Sequence, residues 1–260
     1  AARGRHHPSM GRRNFLLVLA YDGSGFRGWQ RLPGPGAGRS VQLAVEEALA
    51  AVLGVPGERV EVAGAGRTDA GVHAEGQAAS FHSRTALGPE AIRAALDEAL
   101  PPDIGCRSCR EVDPRFHARF RAKAKVYRYR LHVGTDPDPA CRSTSYHVRG
   151  PLDLAAMEAA GKELLGERDF RALSNARGKA DTRRRLDRAS VERAGAFVNL
   201  YFEGSGFLYN QVRIMAALLL EAGLGRIGPG GAGAILESGD RARAPGALGA
   251  YGLCLMHVKY

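Results

Sequence analysis

The strongest constraint on this chain is a recurrence. Tyr21-Asp-Gly-Ser-Gly-Phe26 closes one apolar run and Phe202-Glu-Gly-Ser-Gly-Phe207 closes another, each followed by a glutamine (Gln30, Gln211) and an apolar helical stretch. A strand, an acid, a glycine-serine turn, a phenylalanine and a helix repeating in that order predict two related βα-type halves. The length of 260 residues agrees, since at roughly 150 residues per domain it gives one large domain or two modest ones sharing a core. An apolar share of 45% supplies such a core and excludes disorder for most of the chain.

Local patterns fill in the parts. Phe15 to Ala20 reads as a buried strand, and Leu32 to Gly38 as a proline- and glycine-rich loop. Ser40 caps a helix whose apolar positions Val41, Val45, Leu49, Val52 and Leu53 share one face, closed by Gly54. Val60 to Val62 and Gln77 to His82 read as strands flanking a glycine-rich loop, and Pro89 opens a helix stopped by Pro101-Pro102. Later come a helix after Asp153, a strand over Phe197 to Phe202, a helix over Gln211 to Ala222 and a last strand over Leu253 to Val258. Ala1 to Ser9, ahead of Met10, reads as a tail.

Charge points to the partner. Lysine and arginine number 37 against 27 acids, a net charge of +10 with a pI near 9.8, as expected of a protein that meets a polyanion. From Arg115 to Val126 basic residues (Arg115, His117, Arg119, Arg121, Lys123, Lys125) alternate with apolar ones. On a strand this period puts six basic side chains on one face and the apolar ones in the core. Tyr127-Arg-Tyr-Arg130 follows, interleaving rings that stack on bases with guanidiniums that grip phosphate, so RNA or DNA contact is expected here. Arg183 to Arg185 with Arg188 form a second basic run, either a further contact for the polyanion or a solvated loop. Four cysteines are too few for a disulfide scaffold, and no apolar stretch approaches the ~18 residues of a membrane span, which gives a soluble, cytoplasmic reading with no membrane partner.

Two motifs imitate other chemistries. Gly23-Ser-Gly-Phe-Arg-Gly28 fits the dinucleotide pattern but leads into Pro33 and Pro35 instead of a helix. His73-Ala-Glu75 with Cys106-x-x-Cys109 imitates a zinc nucleobase deaminase, but Gly105 stands where the proline belongs and the cysteines read as core strand residues. The deaminase and a non-catalytic RNA-binding module are the competing readings.

The loop from Ala63 to His73 packs Arg67, Asp69 and three glycines together; glycines admit a ligand close to the backbone, and Arg67 is placed to hold the Asp69 carboxylate ionised. Here the chain resembles the TruA family of tRNA pseudouridine synthases. The matching segments are Tyr21-Asp-Gly23, Gly28-Trp-Gln30, Ser40-Val-Gln42, Gly66-Arg-Thr-Asp-Ala-Gly-Val-His73, Phe116-His-Ala-Arg119, Tyr127-Arg-Tyr129, Asp169-Phe170 and Phe207 to Arg213. The resemblance implies an α+β fold of two duplicated ferredoxin-like, RRM-like halves, whose joined, mainly antiparallel sheet carries flanking helices and a central basic cleft. It divides the chain into a tail over 1–13, a lobe over 14–112 with the catalytic loop, and a lobe over 113–260. It implies isomerisation of uridine to pseudouridine at positions 38, 39 or 40 of the tRNA anticodon stem-loop, by a homodimer, without metal or small-molecule cofactor. Asp69 matches the catalytic nucleophile, Arg67 its arginine partner, Tyr127 the active-site tyrosine and Arg213 the last basic residue. Tyr127, Phe207, Leu208, Arg119 and Arg39 are the expected substrate contacts. The chain departs from the family at Gly246 to Tyr251 and at Ala172-Leu173, which bears on the cleft wall.

Overall fold

The computed structural model describes residues 11–34, 38–176, 178 and 181–260. The tail expected over Ala1 to Ser9 and the middle of the loop at 35–37 lie outside these. Ten strands and five helices follow one another as β1 (Arg13–Tyr21), α1 (Val41–Val52), β2 (Val62–Gly64), β3 (His73–Ser83), α2 (Pro89–Ala99), β4 (Ile104–Val112), β5 (Ala124–Val133), β6 (Tyr146–Val148), α3 (Leu154–Glu163), β7 (Gly166–Asp169), β8 (Arg183–Ala194), β9 (Phe197–Gly204), α4 (Gln211–Gly223), α5 (Gly231–Ser238) and β10 (Leu253–Lys259). This is a mixed α+β fold on one large sheet of order β4-β1-β3-β10-β5-β9-β8-β7, with β2 beside β3 and β6 beside β5. Every pairing is antiparallel except β10 with β3 and β5 with β6.

The helices begin where the sequence marks them. The Ser40 hydroxyl accepts from Leu43 N–H, Pro89 stands at the start of α2, and the Asp153 carboxylate accepts from Ala156 N–H. Each satisfies or removes a donor that the first helical turn leaves unpaired. Helices α2, α3 and α4 pack on β4, β8 and β5, and α4, apolar on nearly every side, is almost wholly buried.

Three expectations need correction. The alternating stretch is not a strand over Arg115 to Lys123: the chain turns there and enters β5 only at Ala124. Side chains take over the backbone pairing, with Asn14 Nδ2 donating to the Asp113 and Phe116 carbonyls and Ser80 Oγ accepting from Ala118 N–H. Phe120, which the alternation assigns to the core, is 76% exposed. The arginine run at 183–188 is the first part of β8 and not a loop; its guanidiniums meet Glu167, Asp181, Asp187 and Glu192. Of the strand expected at Val60 to Val62 only Val62 is in the ladder, which runs on to Gly64.

One strand decides where the site lies. The start of β3, His73 and Ala74, pairs with Cys254 and Leu255 of β10, whereas Ala79 to Phe81 pair with β2. Between these partners the edge of β3 is covered by the loop from Ala65 to Val72, tied down where Ala65 N–H donates to Ala78 O at 2.7 Å and Gln77 Nε2 to Gly66 O at 2.8 Å. That loop carries Asp69.

Candidate active site

Asp69 is fixed through its backbone neighbours. Trp29 N–H donates to the Thr68 carbonyl at 3.0 Å, the Thr68 hydroxyl bonds that of Tyr21 at 2.8 Å, and Val72 N–H donates to the Asp69 carbonyl at 3.1 Å. Gly28, with φ at +97°, brings this support close: a Cβ there would stand 2.6 Å from the Thr68 oxygen. The glycine that suggested a dinucleotide motif is thus a backbone contact of the Asp69 loop.

Sheet register brings Tyr127 to the same place. Directly paired residues point to one face of a sheet, and Tyr21 pairs with Ala74, Ala74 with Leu255, and Leu255 with Tyr127. Both tyrosines therefore stand on the face that carries Thr68 and Asp69. Tyr127 is buried, with its ring edge-on to that of Phe207 at 5.3 Å between centroids. Burial raises its phenol far above the ordinary value, so at neutral pH it is a neutral hydroxyl.

The cation facing Asp69 is Arg213 and not Arg67, which corrects the pairing expected from the sequence. Arg213 Nη1 lies 4.0 Å from Asp69 Oδ2, while Arg67 is exposed to solvent. Arg213 is held by Nε donating to the Leu248 carbonyl at 2.6 Å and Nη1 to Asn210 Oδ1 at 3.0 Å. Leu248 lies in the segment where the chain departs from its resemblance. It binds Arg213 through its backbone only, and Tyr129 Oη likewise donates to the Gly249 carbonyl, so the substituted side chains leave this support intact. Ala172 and Leu173, the other departure, are fully buried. Burial pushes the Asp69 carboxyl above its ordinary value, with the Arg213 charge pulling the other way.

A cavity of about 650 Å³ opens over these groups, within the usual range for a site that takes a small molecule or one nucleotide. Asp69, Tyr127, Arg213, Arg67, Arg119, Phe207 and Leu208 all line it. Arg39 does not: both its terminal nitrogens bond Asp103, at 2.9 and 3.1 Å, and its guanidinium lies over the Phe26 ring. Lys125 also lines the cavity, with its pKa lowered by burial and by Arg119. The lining cations Arg67, Arg119, Lys125 and Arg213 outnumber the acids Glu61 and Asp69 by four to two.

Two residues of the matched segment Phe207 to Arg213 had no role assigned from the sequence. Asn210, the one non-glycine residue with positive φ among the described residues, opens α4 and holds Arg213. Gln211 Oε1 accepts from Leu208 N–H at 2.8 Å and fixes the apolar wall. Among residues with a Cβ, asparagine is one of the most tolerant of that left-handed backbone, which is the local signal for it.

The zinc reading fails on geometry. His73 Nδ1 accepts from Gly23 N–H at 3.1 Å and Nε2 lies 2.8 Å from the Ser143 carbonyl, so both ring nitrogens are taken by backbone. Glu75 pairs with Arg128. Cys106 and Cys109 are buried strand residues whose thiols are pushed up to about 11 and about 12 by burial, which disfavours the thiolates a metal needs. Among the described residues no three histidines, cysteines or acids cluster as metal ligands would.

Comparison with known proteins identifies the family. A family profile described as tRNA pseudouridine synthase matches residues 17–121 and 160–260. The tRNA pseudouridine synthase A of Geobacter sulfurreducens is 41% identical over 249 residues, covering 95% of this chain and 100% of that protein. Those of Moorella thermoacetica and Acetivibrio thermocellus are 42% and 39% identical, over 94% and 95% of this chain and 98% and 100% of their own. With both parts of the profile matched and full-length relatives at this level, the chain belongs to the tRNA pseudouridine synthase family.

Proposed function

We propose that this protein isomerises uridine to pseudouridine in the anticodon stem-loop of tRNA, at positions 38, 39 or 40, with Asp69 as the nucleophile. In this reaction the N1–C1′ bond breaks, the base turns and C5 bonds to C1′; C5 gives up its hydrogen, N1 gains one, and the atoms balance within one nucleotide. The chemistry calls for a carboxylate beside C1′ and a site screened from bulk water. The observation that carries the reading is the convergence of Asp69, Arg213 and Tyr127 on one cavity. Arg213 keeps the carboxylate charged against the cost of its burial. Tyr127 and Phe207, edge to face, and buried Leu208 receive the flipped base. Arg67, Arg119 and Lys125 meet the phosphates around it, and the excess of cations in the lining supports a basic cleft.

The same proposal covers the architecture. Residues 14–112 and 113–260 are two lobes descended from one ferredoxin-like unit. Strand orders β4-β1-β3-β2 and, with the short β6 and β7 set aside, β10-β5-β9-β8 support this, since each then runs last, first, third, second. The protein works as a homodimer, in the cytoplasm; among the described residues no helix is long and apolar enough to cross a membrane.

The test is release of tritium from tRNA labelled at uridine C5. The wild-type protein is expected to release it from the anticodon arm. Asp69→Ala is expected to lower the rate at least about 10³-fold while tRNA affinity stays within a few-fold. Tight, salt-sensitive tRNA binding with no tritium release by the wild type would instead establish a non-catalytic RNA-binding module.

A further inference from the structure

Phe120 is the most exposed large apolar side chain among the described residues, at 76%, and it stands in the lining of the Asp69 cavity. A ring in that state forgoes the burial that ordinarily stabilises aromatic residues, so its backbone must hold it out. The backbone is well anchored. Phe116 packs edge-on to Tyr260, Ala118 is fully buried with its N–H on Ser80 Oγ and its carbonyl accepting from Tyr260 Oη, and Lys123 N–H donates to the Lys259 carbonyl. Within this frame the His117 Nδ1 accepts from Arg119 N–H, and the imidazole backs the Phe120 ring with centroids 4.3 Å apart. The Arg119 guanidinium carbon lies 5.9 Å from the centre of the same ring. The outcome is a braced aromatic face with a cation at its edge, beside a cavity that already holds the groups for one nucleotide. Tyr209, 56% exposed in the turn that leads into α4, also lines the cavity.

We propose that Phe120, braced by His117, is a stacking platform for the base next to the target uridine, with Arg119 gripping the phosphate between the two nucleotides. This assignment rests on the synthase reading and adds a positioning residue to it. When the target base leaves its stack, its neighbour loses a stacking partner, and a ring fixed at the cavity mouth replaces it. Any base can stack on a ring, so the platform sets where the strand lies without choosing its sequence. The chemistry of RNA decides the occupant: an exposed ring flanked by arginine in a cation-rich lining suits a nucleobase and its phosphate, and suits an apolar protein segment poorly.

The experiment measures pseudouridine formation and tRNA affinity for wild type, Phe120→Ala and Phe120→Trp. Losing the stack is expected to raise KM for tRNA about 5- to 150-fold in Phe120→Ala. The rate at saturating tRNA should stay within about threefold, and Phe120→Trp should restore KM. Because the ring is exposed, both variants should melt with the wild type, which separates the role from a structural one. An anticodon-arm RNA with 2-aminopurine beside the target uridine supplies a second readout: bound to Phe120→Ala it should fluoresce more brightly than bound to the wild type. If Phe120→Ala keeps wild-type KM and brightness while the wild type is active, the platform is refuted and the synthase reading stands. If the wild type forms no pseudouridine, the reading falls and takes the platform with it.

Discussion

After β1 the chain runs Asp22-Gly-Ser-Gly-Phe26, and after β9 Glu203-Gly-Ser-Gly-Phe207; in both, a Cβ on the first glycine would run into a carbonyl, that of Val72 in one and of Arg185 in the other. Space demands the same residue twice. Beyond the turns the two segments differ. Phe26 is buried beneath Arg39, and fourteen residues separate it from α1 at Val41, most of them a loop that braces Asp69 from behind through Gly28 and Trp29. Phe207 is only half-buried, lies against Tyr127 and stands four residues before α4, so its turn is a wall of the cavity itself. One motif is a buttress of the Asp69 loop and the other a wall of the cavity. A change in the first should therefore be felt in stability, and a change beside the second in catalysis.

The largest effect breaks the buttress. Gly23→Ala drives a methyl group into the Val72 carbonyl at the end of the Asp69 loop, and Gly23 N–H is also the donor to His73. Backbone cannot yield as a flexible side chain does, so a cost of at least ~3 kcal/mol is expected. At roughly 2–4 °C per kcal/mol for a protein of this size, thermal unfolding should shift down by about 6–12 °C, with activity at low temperature reduced less than stability. An unchanged melting temperature would mean that the first turn does not support the loop.

Next comes the cation beside the second turn. Arg213→Gln should lower kcat/KM about 10²-fold, the scale of losing one placed donor or charge at a reacting centre. The fold should survive, because the partly exposed side chain gives up only its bonds to Leu248 and Asn210. The acid limb of the pH–rate profile should also move upward, since the charge that opposes the burial of Asp69 is gone. A loss of activity accompanied by unfolding, with the acid limb in place, would make Arg213 a structural residue.

Periodicity and caps carried most of the fold into view, because Ser40, Pro89 and Asp153 act within a turn of themselves. The stretch from Arg115 to Lys123 misled for the opposite reason. Its alternation is that of a strand, but its conformation is set by Asn14 and Ser80, distant in sequence, and no local pattern records such bonds. The site divides in the same way. The resemblance named Asp69, Tyr127, Arg213 and the apolar pair at 207 and 208, and all five line one cavity. The pairing of Asp69 with Arg213 and not with Arg67 depends on α4 entering the cavity at a left-handed Asn210, which spacing along the loop cannot show. Arg39 stands outside the cavity lining, paired with Asp103, and a partner 64 residues away leaves no local mark.

The smallest effect concerns the charge that the Asp69 loop and α4 share. Asp69 titrates above the ordinary value in the folded protein because burial disfavours its ionised form. The raised value means that the folded state holds this proton more tightly than the unfolded state. The penalty is therefore absent below the unfolded value near 4, grows as pH rises, and is complete above the folded value. Asp69→Asn should thus raise the melting temperature at pH 7, by about 1–2 °C given a side chain one-third exposed, and the advantage should vanish toward pH 3. In the Arg213→Gln background the same substitution should stabilise more, because the carboxylate there has lost the cation facing it. Melting curves of the four proteins across pH close this cycle; equal gains in both backgrounds would show that the α4 arginine does nothing for the charge carried by the Asp69 loop.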